Sequence, residues 1–248
     1  MLNVTKASLY KMFHDKAFWL CLAGTVAWAM VVIAAQVLTA GSRGISDVSQ
    51  LANRWQGFIG LHSIEVPLIM SAVVLFSGEF RDKSWKLLIA KGISKASFYA
   101  SKLISILTLT VIISFVSIMT TAIANVVVLH ATLDGTYVMN CLTFFMGECL
   151  AHLTIATVVL AVIFLVRLGE IAAIISMFLM VFGYVIFHAV EMALGFGEVI
   201  TDFWAFSQTA FVDFGGAIHW GKLGIVFLGY LTVCSVIVIA SMALRDIE

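Results

Sequence analysis

The sequence predicts an all-α polytopic membrane protein with six transmembrane helices, and three observations carry that prediction. The 248-residue chain is 62% hydrophobic and 11% charged, with one proline and nineteen phenylalanines, and its mean hydropathy is +1.10. Such a composition lies far outside that of water-soluble domains. Apolar runs long enough to cross about 30 Å of hydrocarbon at about 1.5 Å per residue recur six times along the chain. Lysine and arginine, finally, are shared out unequally among the segments between those runs.

Residues 2–16 come first. Leu2, Leu9, Met12 and Phe13 fall on one side of a helix whose other side carries Lys6 and Lys11, so this N-terminal helix is amphipathic and suited to lie in the interface of the inner leaflet. The spans follow at Ala17 to Thr39, Phe58 to Phe76, Leu103 to Leu129, Leu142 to Val166, Ile171 to Leu194 and Leu223 to Leu244. The first is longer than the apolar core of a secretory signal and has no small-residue cleavage site after it, so it is expected to be retained.

Orientation follows from the basic residues, which accumulate in short cytoplasmic loops. Lys6, Lys11, Lys16, Arg81, Lys83, Lys86, Lys91, Lys95, Lys102, Arg167 and Arg245 fall in one alternating set of loops, and only Arg43, Arg54 and Lys222 in the other. Eleven against three places both termini in the cytoplasm. The opposite set carries the acidic residues Asp47, Asp134, Glu198, Asp202 and Asp213. A multi-pass protein of the cell membrane, with membrane lipid as neighbour and no nucleic-acid partner, is expected.

Cys21, Cys149 and Cys234 lie inside apolar runs and only Cys141 is near an aqueous edge, which does not make a disulfide framework. Gly216 to Leu223, GAIHWGKL, fits half of a phosphate-binding loop but has Leu223 where Ser or Thr should hold magnesium, and no strand precedes it. Metalloprotease and serine-hydrolase motifs are absent from the sequence. The chain is therefore read as a non-enzyme without a cofactor of its own, its energy source being on another chain.

The stretch Ser77 to Lys102 holds six of the fourteen basic residues between two apolar runs. From Phe80 to Ala90 the residues Phe80, Ser84, Leu87 and Leu88 recur at helical spacing while Arg81, Lys83 and Lys86 point elsewhere, which predicts a short amphipathic helix. Gly92 can take the left-handed conformation that ends it, and Ser94 is a good N-cap for the next helix. Two readings stand side by side: a basic loop that meets anionic head groups, and a docking helix whose apolar face enters a groove on a cytoplasmic partner.

The same stretch, GEFRDKSWKLLIAKGISKASFYASKL, resembles the permease subunits of type-2 ABC transporters, the small six-span exporters that pair with a separate ATPase. The match runs through Glu79, Ser84, Leu87 with Leu88, Gly92-Ile93-Ser94-Lys95 and Lys102, with Ser84 in place of the commoner threonine and Gly92 in place of the commoner proline. The resemblance implies a coupling helix between spans two and three, with Glu79, Phe80, Ser84, Trp85, Leu87, Leu88, Gly92 and Ser94 docking the ATPase. It implies that ATP and magnesium are bound by that partner, and that a second permease subunit, the same or homologous, completes the transporter. Glu191 to Gly221, broken by glycines and rich in aromatics, resembles the re-entrant hairpin that the family places on the outer side before the last span. The cargo it suggests is an amphipathic peptide or a lipophilic drug, as in antimicrobial-peptide immunity or efflux.

Ionisable residues inside the spans form three pairs at helical spacing: His62 with Glu65, Glu148 with His152, and His188 with Glu191. Each pair either neutralises itself, or lines a polar translocation path, or contributes to a metal site; the unlike order of ligands in the pairs speaks against metal. A stand-alone carrier or channel coupled to protons or ions through these residues is the competing functional class.

Overall fold

The computed structural model describes residues 2–42, 64–128, 134–195, 199–212 and 214–244, which are almost entirely helical. The elements are α1 (Leu2–His14), α2 (Lys16–Ser42), α3 (Glu65–Arg81), α4 (Ser84–Ala90), α5 (Lys95–Val128), α6 (Gly135–Val166), α7 (Gly169–Leu194), α8 (Val199–Asp202), a 3-10 helix (Ala205–Phe211) and α9 (Trp220–Leu244). Among the described residues, five helices are long and apolar enough to cross a membrane: α2, α5, α6, α7 and α9. They correspond to the first and the third to sixth predicted spans. The predicted second span begins at Phe58, outside the described residues, and its described part forms α3.

Local chemistry sets the helix ends. The Asp15 carboxylate accepts a hydrogen bond from the Ala17 amide at 2.9 Å, where α1 gives way to α2. Pro67, the one proline, stands in the first turn of α3, where a missing amide hydrogen costs nothing. Asp134 caps α6 by accepting from the Tyr137 amide at 2.7 Å. Gly92 follows α4 at φ +89°, a conformation open to glycine. The Ser94 hydroxyl then accepts from the Ser97 amide at 3.1 Å at the start of α5. α5 begins at Lys95, just after the Ser94 cap that the sequence offers, and runs on through the third apolar run, while α6 starts at Gly135, ahead of the apolar run at Leu142, and α3 continues past Phe76 to Arg81.

α6 is the central helix. In its most apolar stretch 72% of residues are buried, against 17% in α7 and 22% in α2 and α9. A helix apolar on all sides is at home in such a position. α5 packs on it, with Phe98 and Tyr99 against Phe164 and Ser114 beside His152, and buries a polar stripe of Ser101, Ser105, Thr110, Ser114, Ser117, Thr121 and Asn125. Small side chains let the two backbones approach, and Ser105, Thr110 and Thr121 return their hydroxyls to carbonyls one turn back, so the polar stripe is cheap to bury.

Most of the basic residues of the first set gather at one end of the bundle. There Lys11 of α1 and Lys102 of α5 both reach Glu79 of α3, Arg167 reaches α4, and Lys95 donates to the Met242 carbonyl near the end of α9.

One expectation is corrected. The amphipathic helix does not start at Phe80: that residue belongs to α3, and Lys83, at φ +53°, makes the turn that separates α3 from α4. Phe80 stays in α3 because its ring packs between Phe164 at 5.0 Å and Phe98 at 6.5 Å. The segment before α9, which resembles a re-entrant hairpin in sequence, is built from short pieces. α7 continues through Glu191, and after it the described residues form the single turn of α8, the 3-10 helix and an irregular lead into α9.

Candidate docking surface and buried polar cluster

α4 is clamped from inside. Trp85 is only 4% exposed, with its ring 6.0 Å from that of Phe80 and the Arg167 guanidinium 4.7 Å from its centroid, a cation–π distance. Arg167 is placed for this by the left-handed turn, φ +61°, that closes α6. The Ser84 hydroxyl donates to the Glu79 carbonyl at 3.4 Å, tying the start of α4 to α3. Phe80 and Trp85 therefore serve this chain's own core and are withdrawn from the predicted docking face. What α4 presents outward is Leu87, 66% exposed, with Leu88 half-buried beside it. Gly92 and Ser94 end α4 and start α5, as the spacing predicts.

Glu79 is buried too. Lys102 donates to Oε1 at 2.8 Å and Lys11 to the same oxygen at 3.0 Å, while Lys102 also donates to the Ser8 hydroxyl at 3.0 Å. Burial works to raise the Glu79 carboxyl, but Lys102 and then Lys11 outweigh it and hold it below the usual carboxylate range. The predicted docking residue is thus an ionic tie between α1, α3 and α5. Lys11 as a partner of Glu79 and Ser8 as a partner of Lys102 have no sequence signal, because contacts between residues 68 or more apart leave no local spacing to read.

Four elements bring polar groups together deep in the bundle. Glu148 and His152 of α6, one turn apart, share a face, with His152 Nε2 3.5 Å from Glu148 Oε2. Ser114 of α5 stands 3.4 Å from His152 Nδ1. Glu65, the first residue of α3, has the Thr209 hydroxyl of the 3-10 helix 3.5 Å from its Oε1 and lies within electrostatic reach of Glu148. Glu65, Glu148 and Ser114 are fully enclosed and His152 is 1% exposed. Glu148 accepts no hydrogen bond from a described residue. Two carboxyl groups and an imidazole without bulk water can hold a proton or a cationic group. His62 lies outside the described residues. Thr209 and Ser114 join the cluster without a sequence signal beyond being polar in an apolar chain.

The third predicted pair is used differently. Both Glu191 carboxylate oxygens turn to α8, accepting from the amides of Ile200 and Thr201 and from the Thr201 hydroxyl. His188 stacks on Tyr184 with rings 5.9 Å apart. Glu191 thus holds the segment after α7 and does not face the Glu65 and Glu148 cluster through any contact of its own. Lys222, from the GAIHWGKL stretch, pairs with Asp202 at 3.0 Å and lies 3.4 Å above the Phe211 ring, fastening the same segment to α9. Close approach at Gly183 completes the seal: a Cβ there would meet the Trp204 ring at 2.7 Å. Among the described residues no group of three or more His, Cys, Asp or Glu is arranged to hold a metal ion.

No match is found among curated proteins. The profile of one family does match, described as ABC-2 family transporter protein, over residues 6–186. That range takes in most of α1, the clamped α4, the Glu79 tie and both carboxyl groups of the buried cluster. The chain accordingly belongs to the ABC-2 family of transporter membrane proteins, and is a multi-pass membrane component of an ABC transporter.

Proposed function

We propose that this chain is the permease subunit of an ATP-driven exporter in the cell membrane, with six spans, both termini in the cytoplasm and a re-entrant segment on the outer side before α9. A separate cytoplasmic ATPase docks on α4 and binds the ATP and magnesium, and a second permease subunit, the same or homologous, completes the pore. The observation that carries this reading is α4 itself: a seven-residue helix held rigid by buried Trp85 while Leu87 is left exposed at the basic end. A short helix fixed at its root and apolar at its tip suits insertion into a groove on a partner.

The cargo is an amphipathic peptide or lipophilic drug carrying positive charge. Glu65, Glu148 and His152 would line its path, because carboxyl groups enclosed in hydrocarbon supply the counter-charge such a molecule needs. The same cluster favours a second reading, a stand-alone carrier driven by protons or ions. Affinity purification of the tagged chain separates the two: the permease brings down an ATPase in stoichiometric amount and the carrier does not. Replacing Leu87 and Leu88 together by aspartate should abolish that co-purification and leave the permease folded in detergent, since a charge buried in a groove without a partner costs several kcal/mol. Unchanged recovery of the ATPase would defeat the docking assignment.

A further inference from the structure

Glu148 is fully enclosed in α6, and neither of its carboxyl oxygens accepts a hydrogen bond from a described residue. His152 Nε2 stands 3.5 Å from Oε2, on a ring that is itself 1% exposed. With a proton on neither member, this pair carries one negative charge inside an apolar bundle, which is costly. One positive charge must therefore accompany it. A proton supplies that charge whether it sits on the carboxyl or on the imidazole, since the pair is neutral either way.

The elements packed against α6 sharpen that requirement. α3 brings Glu65, a second acid within electrostatic reach of Glu148. α5 and the 3-10 helix bring hydroxyl groups, with Ser114 3.4 Å from His152 Nδ1 and Thr209 3.5 Å from Glu65 Oε1. The other charged groups on these elements are committed elsewhere or stand at exposed ends. Lys102 is held by Glu79, Lys95 by the Met242 carbonyl, Glu191 by α8 and Lys222 by Asp202. His188 stacks on Tyr184, and Arg81 and Glu170 are exposed.

We infer that the Glu148 and His152 pair is an exchange site, which a proton and the cationic group of the cargo occupy in turn. The inference rests on the cargo path proposed above and adds its regulation. Entry of a singly charged cargo expels one proton, so cargo binds more weakly as the pH falls. The proton leaves the pair for bulk water as the cation pairs with the Glu148 carboxylate, and the charge held in the site is the same before and after.

The full-length chain, purified in neutral detergent with whatever partner it retains, is titrated with tetraphenylphosphonium in weak buffer, and bound cation and released protons are counted together. This probe is permanently charged, so every proton released comes from the protein. One proton per bound cation is expected. The apparent affinity should rise about tenfold per pH unit from the acid side and then level off, as linkage to a single proton requires. Triphenylphosphine oxide, similar in bulk and uncharged, should release none. Glu148→Gln should lose both tight cation binding and the proton, whereas Glu170→Gln, at an exposed residue of α7, should keep both. Should Glu148→Gln misfold, the wild-type proton count decides by itself. Cation binding that is lost in Glu148→Gln but is indifferent to pH and releases no proton would overturn the exchange and leave the cargo path standing. Equal proton release with triphenylphosphine oxide would overturn the exchange as well. Binding and proton release that persist in Glu148→Gln, or a wild-type chain that binds no cation, would overturn the exchange and the cargo path together.

Discussion

Glu79 is one carboxylate serving two lysines from different helices, at 2.8 and 3.0 Å, in a place where Lys102 is 7% exposed. Replacing it by glutamine leaves Lys102 buried without a counter-charge. Breaking a buried pair in this way costs about 3–5 kcal/mol, and the loss should appear as a lower melting temperature in detergent. The pH dependence has a definite sign. The folded-state pKa of Glu79 lies below its ordinary value, so its contribution is complete above the range in which a free glutamate titrates. It disappears as the pH falls through the lowered pKa. The gap in melting temperature between the wild type and Glu79→Gln should therefore be full at neutral pH and shrink below about pH 4, near the value of a free glutamate. A gap that is constant with pH would mean that Glu79 acts by shape alone. Nothing in the sequence around Glu79 points to Lys11, although Lys102 is visible there as the downstream lysine of the family pattern.

α4 depends on two contacts that periodicity could not supply. The sequence pattern places Phe80, Leu87 and Leu88 on one face of one helix, and the stop at Gly92 and cap at Ser94 are found where the residue types put them. The break at Lys83 was not legible, because a lysine in the left-handed region has no side-chain signature. Nor was Arg167, which is far away in the chain and reads as an ordinary loop cation until its turn brings it over Trp85. Trp85→Ala should empty a packed site and cost about 3–5 kcal/mol. Arg167→Gln should cost about 0.5–2 kcal/mol, the range of a cation–π contact from exposed to desolvated. A double-mutant cycle on melting free energies should return a coupling between the two; simple additivity would remove the clamp. Both single variants should also impair ATPase binding, by loosening α4 while leaving Leu87 itself untouched.

The bundle as a unit was read well wherever apolar length decides, in α2, α5, α6, α7 and α9, and poorly wherever irregular backbone is buried. The segment from Val199 to Phe211 holds Gln208 and Thr209 inside the bundle through hydrogen bonds and close packing, and composition offers only its aromatics and the glycines that flank it as a hint. Glu65 and Glu148 could be picked out as ionisable groups in apolar spans, but that they approach each other across α3 and α6 is a tertiary fact. If they line the path of a cationic cargo, Glu65→Gln or Glu148→Gln should preserve assembly and reduce transport into inverted vesicles, amide and carboxyl being alike in shape. Transport at the wild-type rate with only the melting temperature altered would confine them to a structural role.

Docking of an ATPase on the exposed face of α4 is tested most directly by photo-cross-linking within the purified transporter. A photoreactive residue is introduced at Leu87, which is 66% exposed, and separately at Trp85, which is 4% exposed. The reading given above predicts an adduct between the permease and the ATPase from position 87 and none from position 85. An intact complex that yields no adduct from position 87, or yields equal adducts from both positions, would contradict it.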